Sequence, residues 1–597
     1  MLYRAPIRDM LFNAFELLDG QAIYSSLFEH ADLGPDSLAS ILREAARFAE
    51  NELSPLNRQG DVAGCEFHDG AVTTPPGFKR AFDVFRQGGW LSLAEAPEYG
   101  GQGLPLSVFM MVYEMLAAAN VAWSLYIVNY YGSLVTLRAY ATEEQKALFV
   151  PFLASGEWSA TMCLTEPHCG TDLGLITTTA RELDDGRFEI SGTKIFITGG
   201  EHDLTGNILH LVLARIAGAP AGPKGLSLFA VSKCALGRDG TTGERNRVFC
   251  TDIERKMGMH GSATCTLNFD RAEAFLIGER NGGLEAMFAC MNESRVTAAI
   301  QAIGIADMAL QRSLRYATER MQMRAIVRTV PQRPSDPIIC QPDVRRLLLV
   351  QQALVQGGRM LSCYCAMQMD LALGSASETE RHAAEGRLAL LTPIAKGFNS
   401  ETGLECTNAA LQIFGGHGYI SDNGMEQYVR DQRITSIYEG VTAVQAIDLL
   451  DRKVLRMGLL PVITEEILEF LATLEETPAK EFGTDLRAAV GEWQQLTDRI
   501  EQASHSDRYR VGASAFDYLM YSGYVLLGYF WARAARAAGA KPDAGADSDF
   551  YSAKIATARF YFSNILVRKD AHARAIWSDT TNLMADQNEL FPFLASS

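Results

Sequence analysis

Two periods of apolar and polar positions run along this chain, and the places where one gives way to the other divide it. Between residues 37 and 53 the apolar side chains Leu38, Ile41, Leu42, Ala45, Phe48 and Ala49 recur three and four apart, which predicts an amphipathic helix that Ser54 and Pro55 stop. A second helix is expected over 78–88, followed by a turn-rich stretch at 96–105. Residues 106–140 are almost continuously apolar and read as buried helix broken near Gly132. Thr142, with Glu143, Glu144 and Gln145 behind it, reads as a helix N-cap.

After Trp158 the period shortens to two. Runs at 188–191, 194–198, 208–215, 225–231 and 265–269 are separated by Asp-Gly, Ser-Gly and Gly-Gly pairs, the pattern of a small antiparallel sheet or barrel. The helical period returns after Gly283 over 284–322, 342–373 and 379–414, and again beyond Glu439. Past a linker at 457–461 it continues over 486–503, 513–538 and 550–566, with a segment of flexible composition at 537–549. The expected fold is α+β and multidomain: an N-terminal extension (1–36), a helical domain (37–158), a middle antiparallel β domain (159–280), a helical bundle (281–457) and a C-terminal helical extension (458–597).

Composition narrows the function classes. The 597 residues are 48% hydrophobic with mean hydropathy near zero, the balance of a soluble globular protein. No uninterrupted apolar run reaches the roughly 18–20 residues of a membrane span, and charges interrupt the N-terminal stretch, so an amphipathic helix is expected there and not a signal peptide. Eleven cysteines, without metal-ligand spacing, suggest reduced thiols in a cytoplasm. A net charge of −17 argues against phosphate-backbone binding over the whole surface.

Candidate chemistry centres on residues 433–448, RITSIYEGVTAVQAID. Glu439 beside Gly440 at the mouth of a helix has two readings. In a dry pocket, desolvation would raise its pKa and make it a general base. On a solvated surface it is an ordinary first-turn acid favoured by the helix dipole.

Five motifs tip that balance: PEYGGQG (97–103), MCLTEPHCGTD (162–172), GTKIFITGG (192–200), LQIFGGHGYI (411–420) and IYEG (437–440). With the order α, β, α-bundle, the chain resembles the acyl-CoA dehydrogenase flavoprotein family over about residues 37–455. Its N-terminal helix and C-terminal extension are similar to a long bacterial subgroup containing fatty acyl-CoA and 3-methylmercaptopropionyl-CoA dehydrogenases. The resemblance implies FAD as cofactor, an acyl-CoA substrate, and Glu439 as the base that removes the α-proton. Its backbone N–H would help polarise the thioester carbonyl, and the flavin would take the β-hydrogen as hydride.

By the same resemblance, Met162, Leu164, Thr165, Gly170, Thr171, Phe196 and Thr198 would border the flavin. Arg320, Gln322, Gln412, Gly415 and Gly416 would meet its phosphate and adenine parts, partly across a subunit interface. Thr171, Arg295, Tyr438 and Gly440 would contact the acyl-CoA. Phe196 stands where many relatives have Trp, and Val441 where they usually have Thr. A family subset carries its base directly before the arginine matching Arg295. Here that residue is Ser294, and Glu293, one residue earlier, is rotated by about 100°, so Glu439 is the better candidate.

Taken without the family, Thr165 and Thr198 are strand threonines, Arg320 a surface cation, Arg295 an internal ion-pair partner and His417 a turn residue. The favoured function is dehydrogenation of a straight-chain acyl-CoA of medium to long length, with electrons passed to an electron-transfer flavoprotein, in a homodimer. The alternatives are the thioether substrate, an oxidase that reduces oxygen, and a DNA-binding alkylation-response relative. The last is disfavoured because Arg533, Arg536 and Lys541 are offset by Asp543, Asp547 and Asp549.

Overall fold

The computed structural model describes residues 3–27, 33–236, 241–328, 332–474, 477–541 and 545–591. These form two compact units, each assembled from separate stretches. Met1–Ile7, Leu33–Met308 and Ser421–Ile434 make the first; Arg8–Asp32, Ala309–Ile420 and Thr435–Ser597 make the second.

In the first unit, α1 (Pro35–Phe48) is not stopped at Ser54 and Pro55. The chain passes through wide helical turns at Ala49–Leu53 into α2 (Ser54–Ala63), with Pro55 in its first turn. The wide turns lie directly ahead of the proline, which has no N–H to give to the preceding turn. A short hairpin, Glu66–His68 with Ala71–Thr73, follows; its two-residue turn is Asp69-Gly70, both left-handed, a hairpin signal that sequence reasoning missed. Helices α3 (Leu106–Ser124), α4 (Val128–Tyr140) and α5 (Glu143–Ala154) come next. Thr142 caps α5 reciprocally: its Oγ1 accepts from the Gln145 N–H at 3.3 Å, and its own N–H donates to Gln145 Oε1 at 3.0 Å.

The break expected at Gly132 lies elsewhere. The backbone departs from helix at Asn120 (φ −162°, ψ 90°), where Asn120 Oδ1 accepts from the Trp123 N–H and restarts the helix. Gly132 lies inside α4 for a packing reason: a Cβ there would sit 2.6 Å from Cys290 Sγ on α6 (Gly283–Glu319). By length and composition α3 could cross a membrane, but all of it is buried within its unit.

Seven strands form the β layer: β1 (Trp158–Cys163), β2 (Thr179–Glu182), β3 (Phe188–Thr198), β4 (Asn207–Ile216), β5 (Leu226–Ser232), β6 (Val248–Ile253) and β7 (Thr264–Ile277). The ladder runs β7-β3-β2-β4-β5 and closes back on β7, a barrel with β6 and β1 paired at its margins. Most pairs are antiparallel, whereas β4 pairs in parallel with both β1 and β2. The two sequence runs at 188–191 and 194–198 are one strand. It does not turn at Ser191 and Gly192; instead it carries an irregularity opposite Thr266, where the register steps from Cys265↔Ile197 to Leu267↔Lys194.

The second unit is helical. Helices α7 (Pro342–Gly374) and α8 (Glu378–Phe414) pack with α9 (Thr442–Ile447), and α10 (Pro461–Ala472), α11 (Gly483–Ser504), α12 (Arg510–Gly539) and α13 (Ser548–Phe560) follow. Trp493, Trp531, Tyr518, Tyr521 and Tyr529 are fully buried in its core. A buried ion cluster ties the chain's first helical segment to α7 and α13: Asp9 accepts from Arg359 Nη1 at 2.6 Å and also from Lys554 Nζ. Burial pushes the Asp9 carboxyl up, but the two cations outweigh it and hold it below its ordinary value. Of the cations weighed for nucleic-acid contact, Arg533 donates to Tyr529 Oη and the Leu17 carbonyl, and Arg536 to Thr473 Oγ1. Asp543 and its neighbours at 542–544 lie outside the described residues.

Candidate active site

In the first unit, the segment after β1 lies alongside β3. The Ile195 N–H donates to the Thr165 carbonyl at 2.9 Å, and Lys194 Nζ donates to the Leu164 carbonyl at 2.9 Å. Lys194 is fully buried, and its ammonium also pairs with Glu166 Oε1 at 2.9 Å. Thr177 and Thr178 complete the cage, each giving Glu166 both its N–H and its hydroxyl. Burial pushes the Glu166 carboxyl up, but Lys194 and the two threonines outweigh it and leave the pKa at about 2. Burial lowers Lys194 from its ordinary value. Glu166, His168 and Cys169 bring ligand-type atoms within 4.8 Å of one another, but both Glu166 oxygens are already occupied by the cage.

This cage supports an unusual surface. Phe196, in the irregular part of β3, has φ +59° and is 58% exposed. A bulky residue in the left-handed region is strained, typically by about 1–3 kcal/mol, and such strain concentrates at functional sites. Half-buried Thr165 and Thr198 flank it, and among the described residues neither hydroxyl is taken by a protein partner. Gly170 lies over Thr165, whose Cγ2 would be 3.3 Å from an added Cβ, and Gly170 and Thr171 are both exposed. Met162 is the exception, its side chain packed in the apolar core of the unit. An exposed aromatic face with unused hydroxyls and main-chain groups beside it suits a planar, hydrogen-bonding heterocycle such as a flavin ring.

In the second unit, Glu439 and Gly440 are both left-handed, at φ +54° and +88°. Their carbonyls are held from two sides. Gln445 Nε2 on α9 donates to the Glu439 carbonyl at 3.0 Å and reaches that of Gly440 at 3.4 Å, while Lys396 Nζ on α8 donates to the Gly440 carbonyl at 2.6 Å. The φ of +88° favours glycine at 440, and a Cβ there would come within 2.7 Å of Gln445 Nε2, which would have to move off its carbonyl partners. Tyr438, Glu439 and Gly440 are half-buried. The Thr442 hydroxyl, next in line for the contact that Val441 lacks, donates to Glu401 Oε1 at 2.5 Å.

The same unit gathers another predicted group. Arg320 and Gln322 lie just past the end of α6 with exposed side chains, and Gln412, Gly415 and Gly416 are exposed where α8 ends. Tyr316 joins these ends, stacking on Phe414 with ring centroids 4.2 Å apart and hydrogen-bonding His417 Nδ1 at 2.9 Å. Open space lies above both glycines.

Arg295 stands apart, buried in α6 within the first unit. Nearby, Glu293 Oε1 accepts from the Thr297 hydroxyl at 2.7 Å, and Oε2 would lie 3.1 Å from a Cβ on Gly132, so this carboxylate faces the packing between α4 and α6.

Sequence reasoning missed Glu166, Lys194, Lys396 and Gln445. The two lysines left a trace: Lys194 is the one charge inside GTKIFIT, and Lys396 the one charge in LLTPIAKGFN. A lone charge in an apolar run that cannot reach water needs a buried partner.

Comparison with known proteins fits these features. The chain matches the acyl-CoA dehydrogenase N-terminal domain at residues 35–157, the middle domain at 161–272 and the C-terminal domain at 281–454, with an acetyl-CoA dehydrogenase C-terminal-like domain at 463–586. This chain belongs to the acyl-CoA dehydrogenase family. It is 38% identical to a 3-methylmercaptopropionyl-CoA dehydrogenase of Ruegeria pomeroyi, over 96% of this chain and 98% of that one. It is 35% identical to a broad-specificity linear acyl-CoA dehydrogenase of Mycobacterium tuberculosis, over 94% and 95%. In fold it is similar to an acyl-CoA dehydrogenase of Bacillus anthracis solved with FAD, with a TM-score of 0.75 and 21% identity over 96% and 92% of the two chains.

Proposed function

We propose that this acyl-CoA dehydrogenase family member catalyses the FAD-dependent α,β-dehydrogenation of a saturated acyl-CoA, with Glu439 as the base. The observation that carries the reading is the Glu439–Gly440 turn, a carboxylate-bearing residue kept in a strained conformation by bonds to both carbonyls of the turn. Glu439 takes the α-proton of the thioester, and its backbone N–H polarises the thioester carbonyl so that the α-proton becomes acidic enough to remove. FAD supplies the hydride acceptor when bound.

Phe196 would wall the ring, while Thr198, the Thr165 hydroxyl and the main chain around Leu164 and Thr165 would hydrogen-bond along its edge, with Met162 behind them. Gly170 and Thr171 admit ring and CoA closely. Arg320, Gln322, Gln412, Gly415 and Gly416 take the phosphate and adenine parts, and Arg295 and Tyr438 support the acyl-CoA.

The preferred substrate in this reading is a straight-chain acyl-CoA of medium to long length, with electrons going to an electron-transfer flavoprotein. A second reading, the short thioether acyl-CoA, is favoured by the 38% identity to a relative of that name. Anaerobic titration with both substrate types separates them, since the preferred one bleaches the flavin at the lowest concentration. In Glu439→Gln the bleaching rate should fall about 10³-fold, the scale of general-base catalysis, with FAD still bound. Bleaching at the wild-type rate would refute the assignment of the base. The assembly is proposed to be a homodimer, and a tetramer mass by light scattering would refute that.

A further inference from the structure

Lys396 has no part in the proposed chemistry, yet it is one of the most deeply placed charges in its unit. It is fully buried on α8, and its ammonium donates to the Gly440 carbonyl at 2.6 Å. Removing an ammonium from water costs several kcal/mol even after relaxation. On the adjoining carbonyl of Glu439 the donor is the neutral amide of Gln445, at 3.0 Å. A charged donor gives a shorter, stronger bond, and one such bond holds the peptide next to Glu439.

We infer that Lys396 is a positioning residue for the base. It fixes the Gly440 peptide, Gln445 fixes the Glu439 peptide, and with both carbonyls held the Glu439 backbone stays left-handed and its side chain leaves in one direction. Without the ammonium, the Gly440 carbonyl keeps only the longer 3.4 Å bond from Gln445, and the strained Glu439 relaxes toward an ordinary conformation, swinging the carboxylate away from the α-carbon. A misplacement of about 1 Å costs on the order of 10²-fold in rate. This inference rests on Glu439 being the base.

The test isolates proton removal from turnover. In a 3-thia-acyl-CoA, sulfur replaces the β-methylene, so no hydride can leave. Loss of the α-proton alone gives a long-wavelength charge-transfer absorbance against oxidised flavin. With FAD-loaded enzyme, Lys396→Met should form this band about 10²-fold more slowly than wild type, while the dissociation constant for the thioester changes less than about threefold. Lys396→Arg, which restores a charged donor, should recover most of the rate.

Three results overturn the inference: band formation by Lys396→Met at the wild-type rate, a thioester affinity that falls in step with the rate, or loss of FAD by both variants, which makes Lys396 a folding residue. Wild-type and Glu439→Gln enzymes are run alongside. No band from the wild type, or an undiminished one from Glu439→Gln, strikes at Glu439 as the base and takes this inference with it.

Discussion

The barrel and the bundle each carry one non-glycine residue of the candidate site in the left-handed region, Phe196 and Glu439, and near each of them a buried lysine is bonded to a main-chain carbonyl. The surroundings of the two lysines differ. Lys194 shares its charge with Glu166, whose remaining capacity is filled by two threonines, so the barrel side is a closed ion pair built for rigidity. Lys396 donates to a carbonyl of the turn that carries the proposed base. Under the proposed function the difference teaches that one device serves two ends: on the β side it fixes the proposed binding surface, and on the helical side it aims the proposed base.

The largest expected effect separates those ends. Glu439→Gln should cost about 10³-fold in flavin reduction and leave FAD affinity unchanged. A large loss of FAD from this variant would break the comparison, because the base turn would then also be a binding surface.

Lys194→Met should do the reverse. It strands a buried carboxylate, and removing one partner of a buried pair typically costs about 3–5 kcal/mol, read by chemical unfolding, with FAD affinity falling alongside. The sign of its pH dependence sharpens the test. Because the folded pKa of Glu166 is depressed from 4.5 to about 2, its stabilisation is complete above 4.5 and lost as pH falls toward 2. Asp431, in the same unit, behaves oppositely. Burial pushes it up from 3.8 to about 6, so it destabilises the fold as pH rises through that window, and Asp431→Asn should remove that limb, worth on the order of 3 kcal/mol. Stability curves of the two variants that bend the same way would contradict this.

The smallest effect is at Phe196. Phe196→Gly relieves about 1–2 kcal/mol of left-handed strain but gives back about 0.5–1 kcal/mol in unfolded-chain entropy. The FAD-free protein should therefore unfold at a slightly higher temperature while binding FAD less tightly. A lower melting temperature would mean that the conformation is not strained.

Much of this was legible in the sequence. The period change at Trp158, the capping box at Thr142 and the motif order marked the layers and the family, because each rests on local chemistry that neighbouring residues decide. The errors fell where a distant residue decides. Gly132 reads as a breaker, and only the Cys290 sulfur beyond it shows that it is a packing glycine. Ser191 and Gly192 read as a turn, while pairing with β7 carries the strand straight through. Lys194 and Lys396 stand out as lone charges in apolar runs, but the sequence does not say which carbonyls they serve, and no spacing rule points from Lys396 to Gly440.

The ion cluster of Asp9 with Arg359 and Lys554 also bears on how the chain is made. The acid emerges first from the ribosome, its partners 350 and 545 residues later. At about 5–20 residues per second, Asp9 waits roughly half a minute to two minutes for its last cation, while the stretch Leu33–Met308 emerges whole in between. Translation thus delivers the main stretch of the first unit early, and holds completion of the second until α13 has been synthesised.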